Sequence, residues 1–228
     1  MESPLECTII RRLNRFVVEV TVDGSLQWAW INNTGRLEEF LLKGKTGFCI
    51  RNKHPLKTTL RLFAIREHSL GAIIDTQLQM KAFEKALAIG IIPWLDGCVL
   101  VKRNVRLGDS IIDYLLTCGK RQVHLEVKSA VLRQGHDALY PDCPSARGRK
   151  HIKELTGLRA AGEAAAILFI AALPGVTAFK PNRAGDPDLG DLLREAWRAG
   201  VNVRAIALLY DPSDSLVYLY DPDLPIKI

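Results

Sequence analysis

Three ionisable side chains lie inside two short apolar segments, where a buried strand would carry hydrophobic residues. Asp113 lies within IIDYLL, and Glu126 and Lys128 lie within LEVKS. Side chains alternate between the two faces of a strand, so Glu126 and Lys128 share one face of the second segment. Two carboxylates with a lysine beside them can hold a divalent cation and position a water or a phosphate.

The turn between the two segments brings the two acids together. Gly119-Lys120 is typical of a two-residue β-hairpin loop, in which glycine supplies the positive φ. Pairing outward from this loop places Asp113 directly opposite Glu126, with Cβ atoms roughly 4.5–5.5 Å apart. Two carboxylates this close repel each other, so one takes up a proton or a cation lies between them. Mg²⁺ or Mn²⁺ is the expected cofactor, because Mg²⁺ binds through one or two carboxylates and keeps positions for water and phosphate oxygens.

An aspartate followed by Glu-x-Lys on the neighbouring strand resembles the constellation of the PD-(D/E)XK nuclease-like fold. The resemblance implies that Asp113 and Glu126 ligate the metal and that Lys128 positions a water for attack on a phosphodiester. The alternative is a solvated, salt-bridged strand face, since Glu-x-Lys is common on strands. Glu84, on a predicted helix, is a further candidate ligand, although an exposed helical glutamate is the commoner situation.

The distribution of charge favours an anionic partner. The chain carries 31 Lys and Arg against 25 Asp and Glu, a net charge of +6. Residues 101–159 contain 12 basic and six acidic side chains, whereas residues 160–228 contain six and nine. An acidic pocket in basic surroundings fits a polyanion such as DNA. The alternative is a modestly basic protein that binds nothing acidic.

The cysteines and the apolar segments bear on the cellular compartment. Five scattered cysteines without CxxC spacing predict neither a disulfide framework nor a zinc site, and so indicate a reducing environment. The N-terminus has no signal pattern, and the apolar run from Ala164 to Leu173 is too short to span a bilayer. We therefore expect a cytoplasmic protein with no membrane partner.

Residues 1–68 alternate short β-like runs with turns. About five such runs at this spacing predict a small OB-like β-barrel that binds nucleic acid. Trp28 and Trp30, two positions apart, either stack on bases or fill the core, and core packing is the interpretation we favour. Candidate phosphate contacts in this half are Arg11, Arg12, Arg15 and Arg36, with Arg51, Lys53, Lys57 and Arg61 as further basic side chains.

In residues 69–228, the order of helical and β-like segments predicts a nuclease-like mixed sheet flanked by helices. A helix over residues 75–89, capped by Asp75 or Thr76, comes before the central strands. After the hairpin, Ser145 is placed to cap a second helix, and apolar strands and a late helix complete the α/β pattern.

The first turns of this second helix are basic. Arg147, Lys150 and His151 lie near its N-terminus, where cations oppose the helix dipole but, together with free N–H groups, form an anion site. We expect these three side chains to clamp DNA phosphates. The alternative is a solvated basic face.

Segments spread over nearly the whole chain resemble the sugar fermentation stimulation protein (SfsA) family. The resemblance implies an OB-like domain, a nuclease-like domain and DNA binding, with a regulatory link to sugar (maltose) metabolism in bacterial relatives. The segments are NTGR (33–36), DTQL (75–78), IIDYLL (111–116), EVKSAVL (126–132), YPDCPSARGRKHIKEL (140–155) and FKPNRAGDPDLGDLL (179–193).

The leading hypothesis is a DNA-binding protein with a divalent-metal site of nuclease type that hydrolyses phosphodiesters. One alternative is a non-catalytic DNA-binding regulator of sugar metabolism genes. Another is a protein that acts on a small phosphorylated or nucleotide ligand. The exposed strand edges and the tryptophans are also compatible with a homodimer contact.

Overall fold

The N-terminal part of the chain folds as a small barrel. The structure is a computed structural model and describes residues 3–52 and 58–228. The first five strands are β1 (Leu5–Arg12), β2 (Val17–Val22), β3 (Ser25–Trp30), β4 (Thr46–Arg51) and β5 (Leu60–Glu67). They pair in the order β3-β2-β1-β4-β5, and β3 also pairs with β5, which closes the barrel. The predicted OB-type barrel is confirmed.

Side-chain alternation along β2 and β3 decides which residues fill the barrel. Val18, Val20 and Val22 are buried, as expected for β-branched residues on the inner face of a strand. Trp28 is 51% exposed, so the prediction that it packs in the core is wrong. Trp30 is half-buried, with the Arg61 guanidinium 5.6 Å from its ring centroid. The alternation places Trp28 on the outer face because Ala29 takes the inner position.

The second half of the chain forms a mixed sheet with helices on both faces. Its elements are β6 (Leu70–Ile73), α1 (Thr76–Ala88), β7 (Cys98–Leu107), β8 (Ser110–Cys118), β9 (Arg121–Ser129), β10 (Leu132–Gln134), β11 (Asp137–Tyr140), α2 (Ala146–Ala160), β12 (Ala164–Ala171), β13 (Ala178–Pro181), α3 (Pro187–Arg198), β14 (Asn202–Asp211) and β15 (Leu216–Asp221). Among the described residues, no helix is long and apolar enough to cross a membrane.

The strand order shows that this sheet is mixed, with parallel and antiparallel neighbours. The strands lie in the order β6-β14-β12-β9-β8-β7, with β15 on β14, and β10-β11-β13 form a separate small sheet. β7, β8 and β9 form an antiparallel meander, whereas β9, β12 and β14 are parallel. The predicted fold class, an OB-like barrel followed by a mixed sheet flanked by helices, is therefore confirmed.

The barrel and the second half share one continuous sheet. β6 pairs with β5 and also, through Gly71 and Tyr210, with β14. The sheet therefore runs through the predicted boundary at residues 68 and 69. We keep that boundary as a prediction.

The packing of α1 and α2 on opposite faces of the sheet determines what each can contact. Tyr114 of β8 contacts Phe83 of α1, with ring centroids 5.6 Å apart. Asp113, the preceding residue, points to the opposite face, where His151 of α2 lies. Between these layers, β12 is buried along almost its whole length, as its continuous apolar sequence AAAILFIA predicts.

Two of the five cysteines form a disulfide, contrary to the prediction. Cys98 and Cys118 are directly paired residues of β7 and β8, with Cα atoms 4.1 Å apart, and their sulfurs are bonded. Their spacing in sequence gives no sign of this, because the pairing depends on the register of β7 against β8. The cysteines therefore no longer support the expectation of a reducing compartment.

The disulfide should contribute measurably to stability. It links residues 20 positions apart, and a closed loop of this size restricts the unfolded chain enough to stabilise the fold by about 3 kcal/mol. Cys118→Ser should lower the free energy of unfolding by that amount in urea titrations without reductant. Cys143→Ser, a change at a free and partly exposed cysteine, is the matched control. Equal stability of Cys118→Ser and the parent protein would contradict the cross-link.

Candidate functional site

The hairpin has the register that its glycine turn predicts. Cys118 pairs with Arg121 and Tyr114 with Leu125, and the regular pairing of β8 with β9 ends there. Beyond this pair, the side-chain carboxylates of Asp113 and Glu126 accept hydrogen bonds from backbone N–H groups. Glu126 Oε2 accepts a hydrogen bond from Asp113 N at 3.3 Å, and Asp113 Oδ2 accepts one from Val127 N at 2.8 Å. Asp113 and Glu126 therefore lie side by side where the two strands separate.

The two carboxylates differ in proton affinity. Burial, and then the neighbouring Glu126, raise the pKa of Asp113 to about 6. Burial also acts to raise the pKa of Glu126, but hydrogen bonds from His151 and Lys128 outweigh it, and the pKa lies below its ordinary value. Glu126 is therefore the anionic member of the pair, and Asp113 is the member that a nearby positive charge would ionise.

Lys128 and His151 converge on one oxygen of Glu126. Lys128 Nζ donates to Glu126 Oε1 at 2.5 Å, and His151 Nδ1 lies 2.5 Å from the same oxygen. The Lys128 side chain is 11% exposed, and His151 as a residue is 2% exposed. The structure thus brings the three predicted catalytic residues and His151 into one buried cluster, and their catalytic roles stay predictions.

The sequence around the start of α2 fixes where its basic side chains lie. The Ser145 hydroxyl accepts a hydrogen bond from Gly148 N at 3.1 Å and caps the helix as predicted. A Cβ at Gly148 would lie 2.8 Å from the Tyr140 hydroxyl, so a larger residue at this position would require the Tyr140 side chain to shift. Arg147 Nε lies 3.4 Å from His151 Nε2, which joins the helix N-terminus to the buried cluster.

The predicted phosphate-binding residues of α2 differ in exposure. Arg147 and Lys150 are exposed, and Lys150 lies 3.8 Å from Glu154 on the next turn. His151 is buried, and its two ring nitrogens face Glu126 and Arg147. A phosphate contact by each of these residues stays a prediction.

Glu84 does not join the cluster. Its carboxylate accepts two hydrogen bonds from Arg103, both at 2.7 Å, and one from the Tyr114 hydroxyl at 2.9 Å. Tyr114 and Asp113 are consecutive on β8 and point to opposite faces, so the sheet separates Glu84 from Asp113. Glu84, the further candidate ligand, is therefore not at the site, and helical periodicity could not show this because it does not specify which sheet face a helix covers.

A loop of the barrel packs against the segment that leads into α2. Leu37 N donates to Asp142 Oδ2 at 3.2 Å, and a Cβ at Gly35 would collide with the same oxygen. Sequence reasoning missed the role of Asp142. The signal was available, since the NTGR and YPD segments both belong to the family resemblance, but their contact depends on how the two halves pack.

Arg15 and Arg36, two predicted DNA contacts of the barrel, lie near Cys143 in the segment that leads into α2. Burial and Asp142 raise the pKa of the Cys143 thiol, while the charges of Arg36 and Arg15 act to lower it. Both arginines are exposed. They therefore extend the basic surface at the N-terminus of α2 toward the barrel.

The other predicted barrel contacts have different surroundings. Arg12 donates to the carbonyl oxygens of Gly35 at 2.6 Å and Arg36 at 2.7 Å, so its guanidinium holds the loop. Arg11 is exposed and forms an ion pair with Glu19 at 2.9 Å. Lys53 and Lys57 lie outside the described residues. DNA contacts by Arg11 and Arg12 stay predictions.

The donors of the cluster fit a hard divalent cation only if water or substrate completes the coordination. Within residues 3–52 and 58–228, no three His, Cys, Asp or Glu side chains are grouped so that they could hold a metal ion. Asp113 and Glu126 supply carboxylate oxygens, the donor type that Mg²⁺ and Mn²⁺ prefer. Burial and then repulsion from Glu126 raise the pKa of Asp113, and a cation would relieve the repulsion. The two residues therefore fit a cation that keeps several non-protein ligands.

The raised pKa of Asp113 predicts a pH-dependent cost to stability. The folded protein favours the neutral carboxyl, so this contribution is present below the unfolded pKa of 3.8 and is lost as pH rises through about 6. Asp113→Asn mimics the neutral form. Without divalent cations it should be more stable than the parent at pH 8, by up to about 3 kcal/mol, and about equal to it at pH 4.

Urea unfolding in EDTA across this pH range measures the difference. Asp109→Asn, on the exposed turn between β7 and β8, is the matched control and should show no such trend. A stability difference for Asp113→Asn that stays constant from pH 4 to pH 8 would contradict the assignment.

Comparisons with known proteins agree with this architecture. Residues 10–74 match the SfsA N-terminal OB domain, and residues 77–214 match the sugar fermentation stimulation protein RE domain. A sugar fermentation stimulation protein homolog from Pyrococcus furiosus is 48% identical over 217 residues, 95% of this chain and 94% of that protein. A homolog from Archaeoglobus fulgidus is 46% identical over 228 residues, 100% of this chain and 98% of that protein.

A solved structure extends the comparison to three dimensions. The structure of Pyrococcus furiosus SfsA in complex with Ca²⁺ superposes with a TM-score of 0.95 at 44% identity, covering 100% of this chain and 97% of that one. The fold and the cluster together define a two-part protein, an OB barrel joined to a mixed sheet that carries a pair of carboxylates. The chain belongs to the sugar fermentation stimulation protein family, as its motifs predict.

Proposed function

We propose that this protein binds DNA and holds a divalent cation, Mg²⁺ or Mn²⁺, between Asp113 and Glu126, where it hydrolyses phosphodiesters. The observation that carries the proposal is the buried, adjacent carboxylate pair, one member of which has its pKa raised to about 6. The relative from Pyrococcus furiosus, 44% identical, was solved in complex with Ca²⁺, which supports a cation site in this family.

Each residue of the cluster has a separate proposed role. Asp113 and Glu126 would hold the cation, which supplies a Lewis acid for the phosphate and lowers the pKa of a bound water. Lys128, 2.5 Å from Glu126, keeps that carboxylate ionised and lies close enough to orient a water or a phosphate oxygen. Arg147 and Lys150, exposed at the start of α2, would bind the phosphates that flank the reacting bond.

The barrel would hold the rest of the nucleic acid. Arg15 and Arg36 are exposed beside the segment that leads into α2, so phosphates bound there would continue from the helix onto the barrel. Trp28 is half-exposed on the outer face of β3, where an indole ring can stack on an unpaired base. These features favour a nucleic acid as the polyanion.

A second candidate function is DNA binding without catalysis, as in a regulator of sugar metabolism genes. One observation favours it: Lys128 and His151 both contact Glu126 Oε1, so this oxygen is already engaged within the protein. The two functions share the DNA-binding surface and differ only in whether the bound phosphodiester is cleaved.

Fluorescence anisotropy with labelled DNA over a salt series, with and without Mg²⁺, tests the binding. Four phosphate contacts predict that affinity falls by about 3 to 4 log units per log unit of salt. Arg147→Gln should reduce this slope by about one. Arg198→Gln, an exposed change in the last turn of α3, is the matched control and should leave the slope unchanged.

Cleavage is tested separately with supercoiled plasmid and Mn²⁺. Nicking together with salt-dependent binding supports the nuclease. Binding without any metal-dependent product would overturn the nuclease and leave the regulator. Absence of DNA binding at low salt would overturn both.

A further inference from the structure

His151 joins the carboxylate cluster to the basic end of α2. Its Nδ1 lies 2.5 Å from Glu126 Oε1, and its Nε2 lies 3.4 Å from Arg147 Nε. The side chain is 3% exposed, so these contacts are shielded from water. Arg147, by contrast, is exposed. A single buried ring therefore lies between a proposed cation ligand and a proposed phosphate contact.

The chemistry of the two partners selects one form of the ring. An ionised carboxylate only accepts hydrogen bonds, so the Nδ1 of His151 donates to Glu126. A guanidinium only donates, so the Nε2 of His151 accepts from Arg147. The neutral tautomer with its proton on Nδ1 satisfies both contacts at once. Rotation of the ring would break both, which means that the orientation of Arg147 and that of Glu126 depend on each other.

We propose that His151 is a positioning residue that couples phosphate binding at Arg147 to cation binding at Glu126, so that DNA and the cation each strengthen the binding of the other. This inference rests on the proposed function. A phosphate that immobilises Arg147 fixes the ring of His151, and the ring fixes the carboxylate of Glu126. The ligand that binds second then orders fewer side chains, and such coupling is reciprocal by thermodynamic necessity.

The coupling is measured as the change in DNA affinity caused by a cation. Anisotropy titrations with a 20-base-pair labelled duplex, in no Ca²⁺ and in saturating Ca²⁺, give the ratio of the two dissociation constants. Asp113→Asn, which removes a cation ligand, supplies the reference for the screening of DNA by Ca²⁺ itself. Relative to that reference, the parent protein should bind DNA at least about fivefold more tightly with Ca²⁺.

Two substitutions separate the two contacts of the ring. His151→Asn carries an amide near the position of Nδ1 and can keep the contact with Glu126. His151→Gln carries an amide near the position of Nε2 and can keep the contact with Arg147. Each variant keeps only one of the two contacts, so neither can link Arg147 to Glu126. In both variants, the effect of Ca²⁺ on the dissociation constant for DNA should therefore lie within about twofold of that in Asp113→Asn.

Substitutions at two exposed residues test the coupling without the risk that a buried change disrupts folding. Arg147→Ala should abolish the Ca²⁺ effect, because it removes one end of the connection. Lys150→Ala is the matched control, since Lys150 is exposed on the same helix but lies beside Glu154. It should weaken DNA binding and keep the Ca²⁺ effect.

The outcomes distinguish this inference from the function on which it rests. If the parent binds DNA but shows no Ca²⁺ effect, or if both His151 variants keep the full effect, the coupling is overturned and the DNA-binding proposal stands. If His151 only supports the fold, its variants lose thermal stability while the Ca²⁺ ratio is unchanged. If the parent fails to bind DNA, the proposed function itself is overturned.

Discussion

Asp113→Asn should abolish metal-dependent cleavage of plasmid DNA, with a loss of at least about a hundredfold relative to the parent protein. Even residues that only support metal ligands cost ten- to a hundredfold when they are changed, so a direct ligand should reach the upper end of this range. The amide oxygen can still accept from Val127 N, which the carboxylate contacts at 2.8 Å. The variant should therefore fold and bind DNA normally, and the measurement is the rate of plasmid nicking in Mn²⁺.

Asp109→Asn is the matched control for this loss. It makes the same chemical change four positions away, on the exposed turn, and should cleave like the parent. Equal nicking by Asp113→Asn and the parent would show that the activity comes from a contaminant or from another site.

Asp75→Ala should cause the largest loss of stability, about 3–5 kcal/mol. Asp75 is 2% exposed and forms a buried ion pair with Arg61. It also accepts from Asn32 at 2.8 Å and caps α1 by accepting from Leu78 N at 2.9 Å. Alanine leaves the mostly buried guanidinium without its carboxylate and removes the helix cap. Because Asn32 and Arg61 belong to the barrel and Leu78 to α1, this one carboxylate connects the two halves.

Urea unfolding monitored by circular dichroism measures this loss. Asp75→Asn is the informative companion, since its amide oxygen can still cap the helix while the charge is gone, and its loss should be smaller. If Asp75→Ala costs less than about 1 kcal/mol, the ion pair does not hold the two halves together.

The central hairpin could be predicted from the sequence because its determinants are local. Gly119 specifies a two-residue turn, the turn specifies the register, and the register places Asp113 beside Glu126. Ser145 likewise specifies the start of α2 through a contact with Gly148, three residues away. These features need no knowledge of how distant segments pack.

Features that depend on distant contacts could not be predicted. The Cys98–Cys118 bond requires the register of β7 against β8, and the position of Glu84 requires the choice of sheet face for α1. The short strands β6, β10, β11 and β13 have three or four residues each, too few for a clear alternation, and β6 and β13 pair with segments far away in sequence. The size and apolar character of Trp28 favour the core, but its position in the strand alternation places it on the outer face.

The most direct test of the carboxylate pair as a cation site is anomalous diffraction from crystals of the protein soaked in Mn²⁺. We predict an anomalous peak within coordinating distance of both Asp113 and Glu126, which is lost in crystals of Asp113→Asn. Mn²⁺ bound only at other carboxylates, or an unchanged peak in Asp113→Asn, would contradict the site.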